Sequence, residues 1–193
     1  MDPTTHLFWI TSRAAGTAAL VLAGASVTLG LSMGGRLVRG AAADRRTIHE
    51  ALSLGVMAAL AVHAVALLGD QYLRPSLLDV TVPFVSGYKT GWTSLGIIAG
   101  WATVLLGLSF YARRRTGMSR WRVIHRFTLL AWIAGIVHTL GEGTDAHEPW
   151  FLALLAVTTL PAVVALGWRV SERGTARPQG AAARPDPYPQ RYG

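Results

Sequence analysis

The chain has no cysteine, and lysine supplies just one of its 18 basic residues. Without thiols there is no disulfide framework, no thiolate nucleophile, no iron–sulfur cluster and no cysteine-ligated zinc. Charge is also scarce, with 15% of residues ionised against about 25% in an ordinary soluble protein. No Walker loop, no glycine-rich dinucleotide turn, no nucleophile elbow and no HExxH helix occurs in the sequence, so the common phosphate-binding, acyl-transfer and zinc-protease signatures are missing. Apolar residues are what abound: 51% of the 193 residues, with a mean hydropathy of +0.37.

The apolar residues gather in five stretches, Ser12–Met33, Thr47–Leu68, Trp92–Ala112, Trp121–Leu140 and Pro149–Trp168. Each approaches or exceeds the roughly 20 residues that cross a bilayer as a helix. The expected fold is therefore all-α, an integral membrane bundle of five transmembrane helices. Residues 1–11 form an outer N-terminal segment, 12–168 the transmembrane domain and 169–193 a tail. The tail is too rich in Pro, Gly and Arg to bury a core, and the expectation is disorder. Five helices leave no room in these residues for a nicotinamide-binding domain of ordinary size. Arg13 at the mouth of the first stretch argues for an uncleaved helix over a signal peptide.

Charge orients the bundle. Fifteen basic and four acidic residues fall on the side of the tail and of the segments after the first and third stretches, with Arg122, Arg126 and Glu50 among them just inside the adjoining stretches; the opposite side has Arg13, Arg74 and Lys89 against six acidic residues. By the positive-inside rule the N-terminus is outside and the C-terminus cytoplasmic. The net charge of +8 and pI near 11.0 are thereby explained, and nucleic acid is not needed as a partner. The arginine-rich composition suggests a high-GC genome, and the expected location is a bacterial cytoplasmic membrane, with lipid as the solvent. Trp9, Trp92 and Trp150 would lie at the outer interface, and Trp121 and Trp168 at the inner one.

Four histidines carry the chemistry. His49 and His63 lie on the second stretch, His125 and His138 on the fourth. Ionisable residues inside spans are costly, face the bundle interior and mark functional sites. Both helices run outward, so His49 pairs in depth with His125, and His63 with His138. One imidazole from each of two helices, at two levels, is the arrangement that two bis-imidazole b-type hemes require, and such hemes suit electron transfer. A separation of 14 residues is about 21 Å of rise and some 40° short of four full turns, which puts His49 and His63 on nearly one face. The 13 residues between His125 and His138 would leave them about 140° apart on an ideal helix. Unwinding near Gly135 is expected to absorb the difference.

This pair of helices, with histidines 14 apart on the first and 13 apart on the second, resembles the ferric-reductase-like transmembrane domain. That family includes the NADPH oxidases, the ferric reductases and the heme subunit of the bacterial methionine-sulfoxide reductase system. The resemblance covers about residues 12–168 and rests on the four histidines. It implies an inner heme between His49 and His125 and an outer heme between His63 and His138. Three departures stand out. Family members usually have one more span at the N-terminus; the oxidases and ferric reductases carry a flavin and NAD(P)H domain in the same chain; and where the oxidases tend to have a further histidine one turn after the outer ligand, this chain has Leu67.

Several other residues carry expectations. Arg13 would pair with a propionate of the outer heme, and Arg46, Arg122 and Arg126 with the inner one, against the alternative of simple snorkelling. Gly55 would make room for a porphyrin edge. Trp132 reads better as packing than as an electronic bridge. The acidic loop holding Glu142, Asp145, His147 and Glu148 could attract ferric ion or a basic partner, with His147 and His6 as weaker ligand candidates. The expected function is transmembrane electron transfer without a catalytic residue of the chain's own. The donor would be a separate cytoplasmic reductase, a flavin (FMN) or a membrane quinol; the outer acceptor ferric iron, a periplasmic redox protein or oxygen. A quinone-linked cytochrome b subunit of a membrane dehydrogenase, and a heme-free scaffold or transporter, remain the alternatives.

Overall fold

Long runs of Ala, Leu, Val and Gly satisfy their own backbone hydrogen bonds only as helices once water is removed. The computed structural model describes residues 6–34 and 41–175, with side chains to residue 171, and every regular element in it is helical. The elements are α1 (Leu7–Gly34), α2 (Ala42–Leu68), α3 (Leu77–Thr81), α4 (Thr90–Thr116), α5 (Met118–His125), α6 (Thr128–Glu142) and α7 (Pro149–Thr175). Among the described residues five helices, counting α5 and α6 as one span, are long and apolar enough to cross a membrane. The helices outrun the apolar stretches: α1 starts before Ser12, and α7 continues past Trp168 to Thr175. The rest of the expected tail lies outside the described residues.

The molecule is small inside and large outside. Most buried positions are small, among them Ala19, Gly24, Ser26, Ser32, Ala66, Ala99, Ala131, Ala162 and Ala165, with Leu20, Val56, Trp132 and Phe151 the larger ones, whereas Val65, Leu105, Val157 and Val164 are exposed. Small residues let helix backbones approach where lipid removes the hydrophobic drive to associate, and large apolar ones face the hydrocarbon. The chain is thus built as a multi-pass membrane protein.

α1 is the hub, packing along α2 and α7 and touching α6, while α4 packs on α5 and α6 and meets α2. Among the described residues α2 does not pack lengthwise on α5 or α6. The backbones of the two histidine-bearing segments are therefore held apart by the helices between them. The connection between α2 and α4 turns back along α4. In it, buried Asp70 accepts from the Tyr72 and Leu73 amides at 2.7 and 3.0 Å, and Ser76 and Asp79 form a reciprocal cap on α3. Hydrogen bonds from Ser76 hold the exposed Asp79 carboxyl below its ordinary pKa. Trp101 donates its indole N–H to the Thr81 carbonyl at 2.9 Å, tying this connection to the middle of α4. Gly117, at φ 82°, ends α4 in a conformation that only glycine adopts without strain, and the chain reverses into α5.

The fourth span is broken, and the break is not at Gly135. That residue sits in regular helix, its carbonyl accepting the Thr139 hydroxyl at 2.8 Å. The interruption falls directly after His125, at Arg126 and Phe127, where amides bond three residues back: Arg126 to Val123, Phe127 to Ile124 and Leu129 to Arg126. Each tightened step adds about 20° of rotation over an α-helical one, which moves His138 part of the way towards the face of His125. The Thr128 hydroxyl donates to the His125 carbonyl at 2.7 Å, replacing the bond the break removes.

Candidate metal centre

At one end of the bundle the rings of His49 and His125 face each other with centroids 6.2 Å apart and planes at 88°. Two imidazoles sharing one metal, each nitrogen about 2 Å from it, have ring centres roughly 6 Å apart. His49 Nδ1 lies 3.2 Å from Ser26 Oγ of α1. His125 stacks on Trp121 one turn earlier in α5, at 4.9 Å and 23°, and its Nδ1 is buried without a hydrogen-bond partner among the described residues. This level is therefore held by α1 on one side and by an indole face on the other.

At the opposite end, His63 and His138 are electrostatic neighbours. Their Nδ1 atoms are both tied to main-chain carbonyls: His63 to Ser12 at 2.8 Å, His138 to Trp92 at 2.8 Å. A carbonyl can only accept, so each Nδ1 carries the proton and each Nε2 keeps its lone pair; the tautomers are assigned from this donor count. Ligating histidines are oriented in the same way, with the second nitrogen donating to a carbonyl or carboxylate. Ser12, 2% exposed, adds its Oγ at 3.0 Å from His63 Nδ1 and donates to the His63 carbonyl at 3.1 Å.

Glycines back three of the rings. A Cβ at Gly16 would lie 3.1 Å from the His63 ring, one at Gly30 3.3 Å from His49, and one at Gly96 2.5 Å from His138. The donor set, the unpartnered Nδ1 of His125, the lone pairs presented at the other level and these glycine cradles fit two-histidine ligation of a heme iron. They do not fit a larger metal cluster: among the described residues no three His, Asp or Glu side chains gather to hold an ion. His147 and His6 are exposed and join no such group.

Several other expectations meet different neighbours. Arg13 forms an ion pair with Asp145 and lies over the Trp9 ring, 4.2 Å from its centre. It lines an open groove of about 690 Å³ with Ile10, Thr17 and Trp150. Arg46, Arg122 and Arg126 are exposed near the His49 level. Gly55 faces α1, where a Cβ would meet Leu22 at 3.3 Å, and so makes no room in the gap. Trp132 is buried and lines an open cleft with Leu155 and Ala162 of α7. Glu142 accepts the Thr93 hydroxyl at 3.1 Å and lies 4.0 Å from Lys89.

Two features of the site were not anticipated. One is the stack of Trp121 on His125, whose four-residue spacing on one helix face was the available signal. The other is in α1, where a serine followed four residues later by glycine occurs twice, Ser12/Gly16 and Ser26/Gly30, 14 residues apart. That period equals the spacing of His49 and His63 on the antiparallel partner, so each histidine meets one serine and one glycine.

Fold and site together define a class: a membrane protein with five membrane-length helices among the described residues and two histidines on each of two spans, one pair of them in ring contact. No family model, curated protein or solved structure matches the chain.

Proposed function

We propose that the protein carries electrons across a bacterial cytoplasmic membrane through two b-type hemes, in the manner of the ferric-reductase-like domains it resembles. The observation that carries this reading is the His49–His125 pair, 6.2 Å between ring centres at the gap between two helices. When bound, heme supplies a one-electron couple. The chain supplies the rest. His49 and His125 would hold the inner group, His63 and His138 the outer. Ser12, Ser26 and the Trp92 carbonyl orient three of the rings, and the glycines of α1 and α4 bring the backbone against them. The rise between His49 and His63 along α2 is about 21 Å, and the lipid-facing Leu and Val side chains keep water from the interval. Arg13, committed to Asp145, is not assigned a propionate. The experiment is a pyridine hemochrome assay on protein expressed with ample heme. Two hemes per chain are expected; the absence of a Soret band would sink the reading and favour a scaffold or transporter.

The donor is proposed to dock at the cytoplasmic end, where basic residues concentrate. Arg113 donates to the Phe110 carbonyl at 2.7 Å and covers the Phe110 ring, so it serves its own helix end. Arg114 and Arg115 are exposed beside the α4–α5 turn. Glutamine at both positions should slow heme reduction by an acidic soluble donor by roughly ten-fold at low salt and flatten its salt dependence, with heme content unchanged. Stopped-flow reduction reads this. Rates that ignore both salt and the substitution would point to a quinol arriving within the bilayer.

A further inference from the structure

We infer that the connection between α2 and α4 is a re-entrant segment, with residues 76–85 inserted among the lipid acyl chains of the leaflet at the His63–His138 end. Depth is the first sign. Trp101 lies nine residues along α4 from Trp92, about 14 Å of rise, and its indole N–H reaches the Thr81 carbonyl at 2.9 Å. Helical side chains lean back towards the N-terminus, yet the carbonyl this one meets still lies below the level of Trp92. The chain then climbs again. The Phe84 amide donates to the buried Ser94 hydroxyl at 2.7 Å, about two turns of α4 nearer its start.

The side chains suit that depth. Leu77, Leu78, Val82, Phe84 and Val85 are 39–72% exposed, five large apolar groups within nine residues. Tyr72 and Arg74 bracket the segment on one side, Tyr88 and Lys89 on the other, and all four are exposed. Tyrosine and long cations favour the level of the headgroups. Backbone that enters hydrocarbon must find its partners within the protein, and the tip finds them. The Val82 amide donates to the Leu78 carbonyl at 2.8 Å, Pro83 has no amide proton, and Phe84 and Thr81 are served by Ser94 and Trp101. Asp79 is the one carboxylate in the segment. Its Oδ2 accepts the Ser76 hydroxyl and amide at 2.7 and 2.8 Å, which lessens the cost of drawing it beneath the headgroups. A soluble partner would account for the apolar side chains but not for a tip tied to α4 below Trp92. The inference does not depend on heme.

The chain has no cysteine, so single cysteines can be labelled without background. The test places nitroxides at Leu78→Cys, Val82→Cys and Phe84→Cys in the full chain, reconstituted into phosphatidylcholine–phosphatidylglycerol vesicles. EPR power saturation then compares collisions with oxygen, which concentrates in hydrocarbon, and with nickel-EDDA, which stays in water. Val157→Cys in α7, where the valine is 70% exposed, is the lipid reference, and Tyr72→Cys, where the tyrosine is 92% exposed, marks the headgroup level. All three labels should match Val157→Cys, with nickel collisions several-fold rarer than at Tyr72→Cys. Trp101→Phe keeps a ring but removes the donor to Thr81, and should raise nickel access at Val82→Cys several-fold. Val85→Cys replaces any variant of the three that fails to insert. Nickel collisions as frequent as at Tyr72→Cys would put the segment in water and overturn the inference. Poor access to both reagents would overturn it too, since the face would then be covered by protein, a partner or a second copy. Unchanged nickel access in Trp101→Phe would overturn the anchoring by Trp101.

Discussion

If the proposed function holds, alanine in place of His63 should leave one heme per chain where two are expected for the wild type, and alanine in place of His138 should do the same. Both remove one proposed ligand of the level whose Nδ1 atoms are bound to Ser12 and Trp92. His49→Ala and His125→Ala should each empty the other level, at the end where the two rings lie 6.2 Å apart. The hemochrome count gives the stoichiometry, and redox titration identifies the survivor: His63→Ala and His138→Ala should keep one midpoint potential, His49→Ala and His125→Ala the other. A His49/His63 double variant should bind none. If His63→Ala and His138→Ala retained different potentials, the pairing by depth would be wrong. Loss of both hemes in every single variant would mean that the groups fold the bundle jointly, as metal binding can.

Gly96→Val should empty the proposed His63–His138 level without replacing either histidine. A Cβ at Gly96 would come within 2.5 Å of the His138 ring, while one at Gly100, a turn further along α4, would meet nothing within 4 Å. Overpacking of this kind costs about 1–3 kcal/mol when neighbours can shift. His138 is held to the Trp92 carbonyl on the same helix, so shifting it breaks that bond as well. The expected result is one heme retained in Gly96→Val and two in Gly100→Val, with equal amounts of inserted protein. Equal heme content in both variants would show that α4 does not form the wall of this site.

The spans were legible because hydropathy is a local property: each apolar stretch lies within one long helix or, for the fourth, within a broken pair. The position of that break was not. Gly135 was the expected weak point because glycine loosens a helix, yet the chain breaks at Arg126 and Phe127, where the Thr128 hydroxyl can serve the freed carbonyl of His125. Gly55 shows an error that arithmetic could have avoided. Six residues after His49, it lies about 120° round the helix from it, towards Leu22 of α1. Trp121 fits an aromatic belt equally well by position, but its ring lies on His125.

The sequence by itself determined that the chain forms five membrane-length apolar helices and that its histidines come in two depths. Both follow from composition and from spacing along one axis, which helix geometry converts directly into length and height. Only the tertiary structure decided what each histidine meets. Ser12 and His63 are 51 residues apart in the chain, Trp92 and His138 46, Ser26 and His49 23. Their contacts depend on which faces of α1, α2, α4 and α6 turn towards one another, and small residues leave that rotation to packing. The same rotation turned Arg13 to Asp145 and away from His63. The protonated nitrogen of His63 and of His138 follows from those neighbours, because a carbonyl can only accept.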